Sequence, residues 1–210
     1  MTIGIDIGGS KVRGVLWDGK QMVRFSYFKM PKKLSIFEKK MKNLVRILDF
    51  RNNIKKIGIG IAGRVVGTKV VRAKNIPYFI NSDFKKFFPN VFLKVDNDAR
   101  TYALAEYKIG SGSGAKNMLM ITLGTGIGRA FVRNNKILRI RRFEYAESWE
   151  KEYQKIHGKE GLAKFLGEKL SLLIEALNPE VVVLGGGVIE KKGYFEVIKG
   201  VQPDNTSTYS

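Results

Sequence analysis

The sequence predicts an α/β protein of two lobes, because strands alternate with helices and one strand–turn–strand unit occurs twice. In residues 3–17 and again in 118–132, an apolar strand leads into a glycine-rich turn and a second apolar strand. Glycine adopts the positive φ that such tight turns require. The glycine–serine run at 110–114 is the clearest linker signal, so we place an N-terminal lobe at 1–109 and a C-terminal lobe at 110–210.

Helices and strands fill the space between and after these two units. Apolar residues between Leu34 and Leu48 fall on one helical face, and 57–61 alternates isoleucine with glycine as a strand. Residues 91–95 form the next strand, and Asn97 and Asp98 open a short helix. In the second half, a helix with apolar residues from 162 to 177 stops at Asn178-Pro179. A buried strand over 181–184 follows and ends in three glycines.

Composition restricts the class of protein. A hydrophobic fraction of 44% is sufficient for a buried core. The absence of cysteine excludes disulfides and thiolate zinc sites, and it suits a reducing compartment. No apolar run reaches the roughly 20 residues of a membrane helix, and the first residues have a strand pattern rather than that of a signal sequence. We therefore expect a cytoplasmic protein that does not bind membranes.

The chain is strongly basic, with 38 Lys and Arg against 19 Asp and Glu and a net charge of +19. Such a charge attracts polyanions without any dedicated motif. The basic residues are dispersed in pairs, and no tail or arginine-rich arm is present. We interpret them as a lysine-rich solvated surface, with an anionic or nucleic-acid partner as the alternative.

The glycine-rich turns are candidate phosphate sites. Backbone N–H groups exposed at such turns form concavities that bind anions. A single turn is weak support for a ligand, but here two related turns are accompanied by the glycines at 185–187. We expect the turns of the two lobes to hold the β- and γ-phosphates of a nucleotide between them. The lone histidine, His157, lies in a charged run and is expected to be exposed and unengaged.

Two aspartates are the candidate chemical groups. Asp6 interrupts an apolar strand beside Gly8, so its carboxylate needs either a cation such as hydrated Mg²⁺ or neighbouring backbone N–H donors. Asp98 follows a strand and precedes a helix. That position fits a helix cap, and it equally fits chemistry, since α/β folds place ligands at the carboxyl ends of strands. The residues alone do not decide between these two roles.

An ordered series of motifs resembles the ROK family of sugar kinases and related repressors. Residues 5–11 and 123–128 resemble its two phosphate motifs, and residues 183–188 resemble its adenosine motif. Residues 58–63 and 75–77 resemble its sugar-contacting segments, and residues 95–106 resemble its catalytic segment.

The resemblance implies a two-lobed actin-like ATPase fold of the ribonuclease H-like kind, with a central cleft. It implies ATP-dependent phosphorylation of a hydroxyl of a hexose or N-acetylhexosamine, with Asp98 as the general base. Gly63, Asn75, Asn97 and Asp98 would bind the sugar. The residues that would bind ATP are Asp6, Gly8, Gly9, Ser10, Lys11, Gly124, Thr125, Gly126, Gly128, Gly185, Gly186 and Gly187, with Asp6 also serving Mg²⁺.

The chain also departs from the family pattern. The family's Glu-x-Gly-His segment and its cysteine-rich zinc loop are missing, although Glu144 stands where a sugar-contacting glutamate would be. Zinc is therefore not predicted. The alternative function is a nucleotide-binding module, with a regulatory or binding role, whose sugar site has degenerated. The family's repressors have an N-terminal helix-turn-helix, and here a strand begins at residue 3, so we expect no nucleic-acid partner. The resemblance further implies a homodimer.

Overall fold

The computed structural model describes residues 1–51, 53–124, 126–140, 147–189 and 207–209. They belong to two compact units, Met1–Thr101 and Tyr102–Ser210. This division falls inside the helix Asp98–Ile109, whereas the lobe boundary expected from the sequence lies after that helix, between residues 109 and 110. The placement of the lobes stays a prediction, and each unit is described by itself below.

The first unit is built on a mixed five-stranded sheet with strand order β3-β2-β1-β4-β7. The neighbours β1 and β4, and β4 and β7, are parallel, whereas β2 is antiparallel to both β1 and β3. A small hairpin, β5–β6, precedes β7 along the chain. The strands are β1 (Thr2–Ile7), β2 (Lys11–Trp17), β3 (Met22–Lys29), β4 (Lys56–Ile61), β5 (Arg64–Val66), β6 (Lys69–Arg72) and β7 (Phe92–Asn97).

Helix α1 (Leu34–Leu48) covers one face of this sheet, as the apolar spacing predicted. Its buried residues are Phe37, Met41, Leu44 and Leu48, which recur at the helical period. The Phe37 ring meets the Phe79 ring edge-on, with 4.5 Å between the ring centroids. The segment between β4 and β7 therefore packs on the same apolar cluster as α1.

The second unit repeats the arrangement around a sheet of order β10-β9-β8-β11-β12. Strand β8 is antiparallel to β9 and parallel to β11, as β1 is to β2 and β4. Both glycine-rich segments are thus strand–turn–strand hairpins at the same place in their sheets, as the internal similarity predicted. The strands are β8 (Asn117–Leu123), β9 (Ile127–Arg133), β10 (Lys136–Leu138), β11 (Val181–Gly185) and β12 (Ser207–Tyr209).

Three helices accompany these strands: α2 (Asp98–Ile109), which begins in the first unit, α3 (Glu147–Tyr153) and α4 (Gly158–Leu177). Helix α4 buries Leu162, Phe165, Leu166 and Leu170 against the second sheet. It ends where Asn178 adopts a left-handed conformation with φ of 46°, before Pro179. The predicted stop at Asn178-Pro179 is confirmed, because proline disfavours helical backbone in the residue before it.

The positive charge is unevenly divided between the units. Residues 1–101 contain 22 Lys and Arg against 7 Asp and Glu, whereas residues 102–210 contain 16 against 12. The first unit therefore carries most of the net charge of the chain.

No helix in the described ranges is both long enough and apolar enough to cross a membrane.

Candidate functional site

The carboxyl ends of three parallel strands bring the acidic candidates of the first unit to one edge of its sheet. Asp6 of β1 lies opposite Gly60 of β4, and Gly60 in turn lies opposite Asp96 of β7. One residue further along, Asn97 ends β7, and Asp98 begins α2. This edge is where open α/β sheets place their ligands. The fold thus collects the predicted catalytic and metal-binding carboxylates at a position suited to chemistry.

Asn97, rather than Asp98, caps helix α2. The Asn97 side-chain oxygen accepts hydrogen bonds from the backbone N–H groups of Ala99, at 3.0 Å, and Arg100, at 3.4 Å. These are the second and third N–H groups of the helix, which an N-cap residue satisfies. The capping role that the sequence left open for Asp98 therefore belongs to its neighbour.

The amide group of Asn97 also holds the Asp98 carboxylate. Its Nδ2 donates one hydrogen bond to the Gly63 carbonyl oxygen, at 3.0 Å, and one to Asp98 Oδ1, at 2.9 Å. Asp98 Oδ1 accepts a further bond from the Ala99 N–H, at 2.9 Å. The bonds from Asn97 and Ala99 are both made to Oδ1. Asn97 is therefore engaged in orienting Asp98.

The two carboxylates Asp98 and Asp6 interact electrostatically. Burial raises the pKa of Asp98, the negative charge of Asp6 raises it further, and the hydrogen bonds from Ala99 and Asn97 oppose this shift. Asp6 Oδ2 lies 3.3 Å from Arg13 Nη1. Although about half of its side chain is exposed, partial loss of water raises the pKa of Asp6 against the lowering effect of Arg13. Asp98 is thus a carboxylate with enhanced basicity.

The raised pKa of Asp98 has a consequence for stability. Between pH 3.8 and the higher pKa of the folded state, the native protein binds more protons than the unfolded chain. Stability contributed by Asp98 is therefore lost as pH rises through this range. We expect Asp98→Asn to have a higher melting temperature than the wild type at pH 7, by about 2–4 °C for each kcal/mol of stability gained. This difference in melting temperature should disappear below pH 3.8. Differential scanning calorimetry across pH measures both.

Asp83 provides the matched control for this prediction. Hydrogen bonds from the Thr68 hydroxyl, at 2.6 Å, and the Lys85 N–H, at 2.9 Å, hold the pKa of Asp83 below its usual value. Asp83→Asn should therefore lower the melting temperature at pH 7, in the opposite direction to Asp98→Asn. If Asp98→Asn also melts lower at pH 7, the burial penalty assigned to Asp98 is incorrect.

The first glycine turn lies beside Asn75. The turn is closed by a hydrogen bond of 3.0 Å from the Gly8 N–H to the Lys11 carbonyl oxygen. Ser10 is fixed by its carbonyl oxygen, which accepts the Met30 N–H at 2.9 Å. A Cβ atom on Gly9 would lie 3.3 Å from Asn75 Cβ. The predicted phosphate turn and one predicted sugar-binding residue are therefore neighbours.

Gly63 must be glycine for a packing reason. A Cβ atom there would overlap the carbonyl oxygen of Arg72 in β6. Because the Gly63 carbonyl oxygen receives Asn97 Nδ2, the close approach of Gly63 to β6 also fixes the position of the group that orients Asp98. Asn75, Gly63, Asn97 and Asp98 thus lie around one end of the first sheet.

Asp6 is the residue of this edge that could hold a magnesium ion. Among the residues that the structure describes, no three His, Asp or Glu side chains converge on one point. Mg²⁺ keeps several waters and is usually held by one or two carboxylates together with phosphate oxygens. The negative charge of Asp6 raises the pKa of Asp98, and a divalent cation beside the two carboxylates would oppose that effect.

In the second unit, the predicted phosphate turn lies between β8 and β9. A hydrogen bond of 3.0 Å from the Gly124 N–H to the Gly126 carbonyl oxygen closes it. Thr125 lies outside the described residues. Gly128 belongs to β9, where it pairs with Thr122, so it follows the turn rather than forming it.

Gly185 ends β11, and Gly186, which follows it, packs against the end of β8. Gly186 has a φ of 97°, and a Cβ atom on it would overlap the carbonyl oxygen of Leu123. That oxygen accepts the Val188 N–H at 3.1 Å. Gly185 leaves room for the Tyr102 ring, whereas Gly187 faces open space. Because Leu123 immediately precedes Gly124, the predicted adenosine motif adjoins the predicted phosphate turn.

One residue at this turn, Glu150 of α3, was not expected from the sequence. Glu150 Oε2 accepts the Ile127 N–H at 3.1 Å, and a Cβ atom on Gly126 would lie 2.7 Å from Oε1. Glu150 is 23 positions from Ile127, and no helical or strand period links two residues so far apart. Tyr153 strengthens the contact, since its hydroxyl donates to the Gly124 carbonyl oxygen at 2.9 Å.

A buried arginine lies beside Glu150. Arg129 of β9 is only 3% exposed, and its guanidinium carbon lies 4.6 Å from the centre of the Trp149 ring. Burial lowers the pKa of Arg129 to about 10, and the charge of Glu150 opposes this shift. Helix α3 is therefore fixed to the hairpin by a carboxylate, an aromatic ring and a phenol.

Two other residues singled out from the sequence have different outcomes. Glu144, the proposed sugar-contacting glutamate, lies outside the described residues. His157 precedes α4 and is exposed, as expected.

Comparison with known proteins identifies the family. The ROK family model matches residues 2–142, which is two thirds of the chain. The chain belongs to the ROK family. The family resemblance inferred from the ordered motifs is confirmed. The motifs, rather than the composition, indicated this family.

Individual ROK relatives are similar over different extents. A glucokinase of Streptomyces coelicolor is 33% identical over 144 residues, which is 66% of this chain but 45% of that protein. A protein of Clostridium perfringens without assigned function is 29% identical over 247 residues, covering 91% of this chain and 82% of that one. The chain thus aligns with less than half of the length of the curated glucokinase.

Structural comparison confirms the fold. A ROK glucokinase from Streptomyces griseus, solved with glucose and AMPPNP, superposes with a TM-score of 0.81 over 98% of this chain and 92% of that one, at 20% identity. The α/β architecture is that of the actin-like ATPases, as the resemblance implied.

Proposed function

We propose that the protein is a sugar kinase that transfers the γ-phosphoryl group of ATP to a sugar hydroxyl, with Asp98 as the general base. The main support for the proposal is the orientation and the raised pKa of the Asp98 carboxylate. Its carboxylate is oriented by Asn97 at the carboxyl end of a parallel strand, and burial together with Asp6 raises its pKa. A carboxylate in that condition is suited to accept a proton at neutral pH.

In the proposed step, the sugar hydroxyl oxygen bonds to the γ-phosphorus while the bond from that phosphorus to the β–γ bridging oxygen breaks. Asp98 Oδ2 takes the hydroxyl proton, and the products are the sugar phosphate and ADP. Phosphoryl transfer depends mainly on positioning and charge stabilisation, so the orientation of the base matters more than its strength. The bond from Asn97 Nδ2 to Oδ1 supplies that orientation, and Asn97 acts as a positioning residue.

The nucleotide would be bound by the glycine-rich turns. In the first unit, the proposal assigns phosphate to the turn of Gly8, Gly9, Ser10 and Lys11, which follows the strand that carries Asp6. In the second unit, the proposal assigns phosphate to the turn of Gly124 and Gly126 and adenosine to the glycines 185–187. Asp6 would hold Mg²⁺ through its water shell, and the ion would neutralise charge on the phosphates.

The proposed substrate is a hexose or an N-acetylhexosamine. Support comes from relatives, namely the glucokinase of Streptomyces coelicolor and the ROK glucokinase of Streptomyces griseus solved with glucose and AMPPNP. Gly63 and Asn75 would contact the sugar, since both lie around the sheet edge that carries Asp98. Glu144 is proposed as a further sugar contact on the sequence alone.

A panel of sugars tests the proposal. With ATP and Mg²⁺, we expect ADP release to depend on at least one of glucose, mannose, N-acetylglucosamine or N-acetylmannosamine, with kcat in the range of about 1–100 s⁻¹ typical of kinases. The reaction without sugar is the control, and mass spectrometry of the sugar identifies the product. If calorimetry shows ATP binding but no sugar is phosphorylated, the chain is instead a nucleotide-binding module whose sugar site is lost.

A further inference from the structure

The second glycine turn already holds an anion supplied by the chain itself. The Glu150 carboxylate lies on the turn, with Oε2 accepting the Ile127 N–H at 3.1 Å and Oε1 lying 2.7 Å from the place that a Cβ atom on Gly126 would take. Outward-facing N–H groups of a glycine turn bind phosphate and carboxylate oxygens by the same charge-assisted hydrogen bonds. A carboxylate and a phosphate cannot both use the Ile127 N–H, so binding one requires releasing the other.

We propose that Glu150 is an internal competitor at the second phosphate turn, and that its charge sets the affinity of this turn for phosphate groups. The inference rests on the proposed function for the identity of the nucleotide. Its anion chemistry concerns residues of the second unit alone. Glu150 is carried by α3, so its release requires a shift of its side chain or of this short helix.

The buried Arg129 makes such an exchange feasible. A guanidinium that is 3% exposed strongly favours a nearby anion, and Glu150 provides one. When a phosphate oxygen replaces the carboxylate at the turn, a negative charge remains close to Arg129. Exchanging one anion for another therefore keeps a negative charge beside the buried guanidinium.

Tyr153 helps to hold the competitor in place. Its hydroxyl donates to the Gly124 carbonyl oxygen on the other side of the turn, at 2.9 Å. The side chains of Glu150 and Tyr153 therefore both attach α3 to the turn. Weakening the Tyr153 contact should make Glu150 easier to displace without altering any charge.

The test measures anion binding to the full chain by isothermal titration calorimetry, with inorganic tripolyphosphate and with ATP. We expect Glu150→Gln to bind both about tenfold more tightly, because a neutral amide holds the Ile127 N–H less strongly than a carboxylate by about 1.4 kcal/mol. Glu175→Gln is the matched control, since it removes the same charge from an exposed position on α4. Adenosine, which has no phosphate, should bind equally to all variants.

Each outcome decides the inference. Unchanged or weaker tripolyphosphate binding by Glu150→Gln would overturn it, and weaker binding would show that Glu150 builds the turn instead. If Glu150→Gln does not fold, Tyr153→Phe should still tighten tripolyphosphate binding by about two- to threefold, and no change would count against the competitor. Tighter tripolyphosphate binding without sugar phosphorylation would support the competitor while refuting the kinase.

Discussion

Replacement of Asp98 by asparagine is expected to lower kcat for sugar phosphorylation by about 10²–10⁴-fold, the usual contribution of a positioned general base. Asparagine keeps the oxygen that accepts the Ala99 N–H and the Asn97 amide, so the local structure should persist. What disappears is the ability of the second oxygen to take the hydroxyl proton. Steady-state kinetics with the sugar identified by the panel measures the loss.

Two further measurements separate this role from general damage. Calorimetry should give an ATP dissociation constant for Asp98→Asn within about threefold of the wild type, since the variant removes the base and not the phosphate turns. Asp83→Asn, with a comparable change at a carboxylate outside the proposed site, should keep near-normal kcat. Near-normal phosphorylation by Asp98→Asn would show that another group accepts the proton.

Replacement of Gly186 by alanine is expected to destabilise the protein by about 2–4 kcal/mol and to weaken ATP binding. The residue has a φ of 97°, a conformation that alanine rarely adopts, and the new methyl group would meet the Leu123 carbonyl oxygen. Since that oxygen belongs to backbone, it cannot rotate away as a flexible side chain would. Relief of the overlap would displace the end of β8, which leads into the phosphate turn. Urea unfolding and calorimetry measure the two losses.

Gly187→Ala is the matched control for this variant. The adjacent glycine has open space where a Cβ atom would be placed, and its φ is not in the left-handed region. We expect Gly187→Ala to change stability by less than about 0.5 kcal/mol, as exposed substitutions usually do. Equal losses in both variants would mean that flexibility of the glycine run, rather than the contact with Leu123, determines the effect.

The features that follow a local period could be predicted from the sequence. The apolar spacing from Phe37 to Leu48 identified the buried face of α1, and Asn178-Pro179 marked the end of α4. The two glycine-rich segments were recognised as the same hairpin because strand and turn preferences act over a few residues. The position of Asp98 after a strand could also be predicted, and that position is at the same edge of the sheet as Asp6.

Features that depend on distant residues could not be predicted. Whether Asp98 caps α2 depends on side-chain direction, so the sequence left open whether this residue is a cap or a catalytic group. The link from Asn97 to Gly63 joins residues 34 positions apart. The contact of Glu150 with the second turn likewise requires the folded path of the chain. Thr125 and Glu144 remain expectations from the sequence.

The uneven division of charge, with 22 basic against 7 acidic residues in 1–101, affects how fast anionic molecules arrive. A surface of one sign accelerates diffusional encounter with ions of the opposite sign, and dissolved salt screens that attraction beyond about 8 Å at physiological ionic strength. Collision of any polyanion with the first unit is therefore quicker in dilute buffer. The lifetime of the complex, which close contacts determine, responds less to salt.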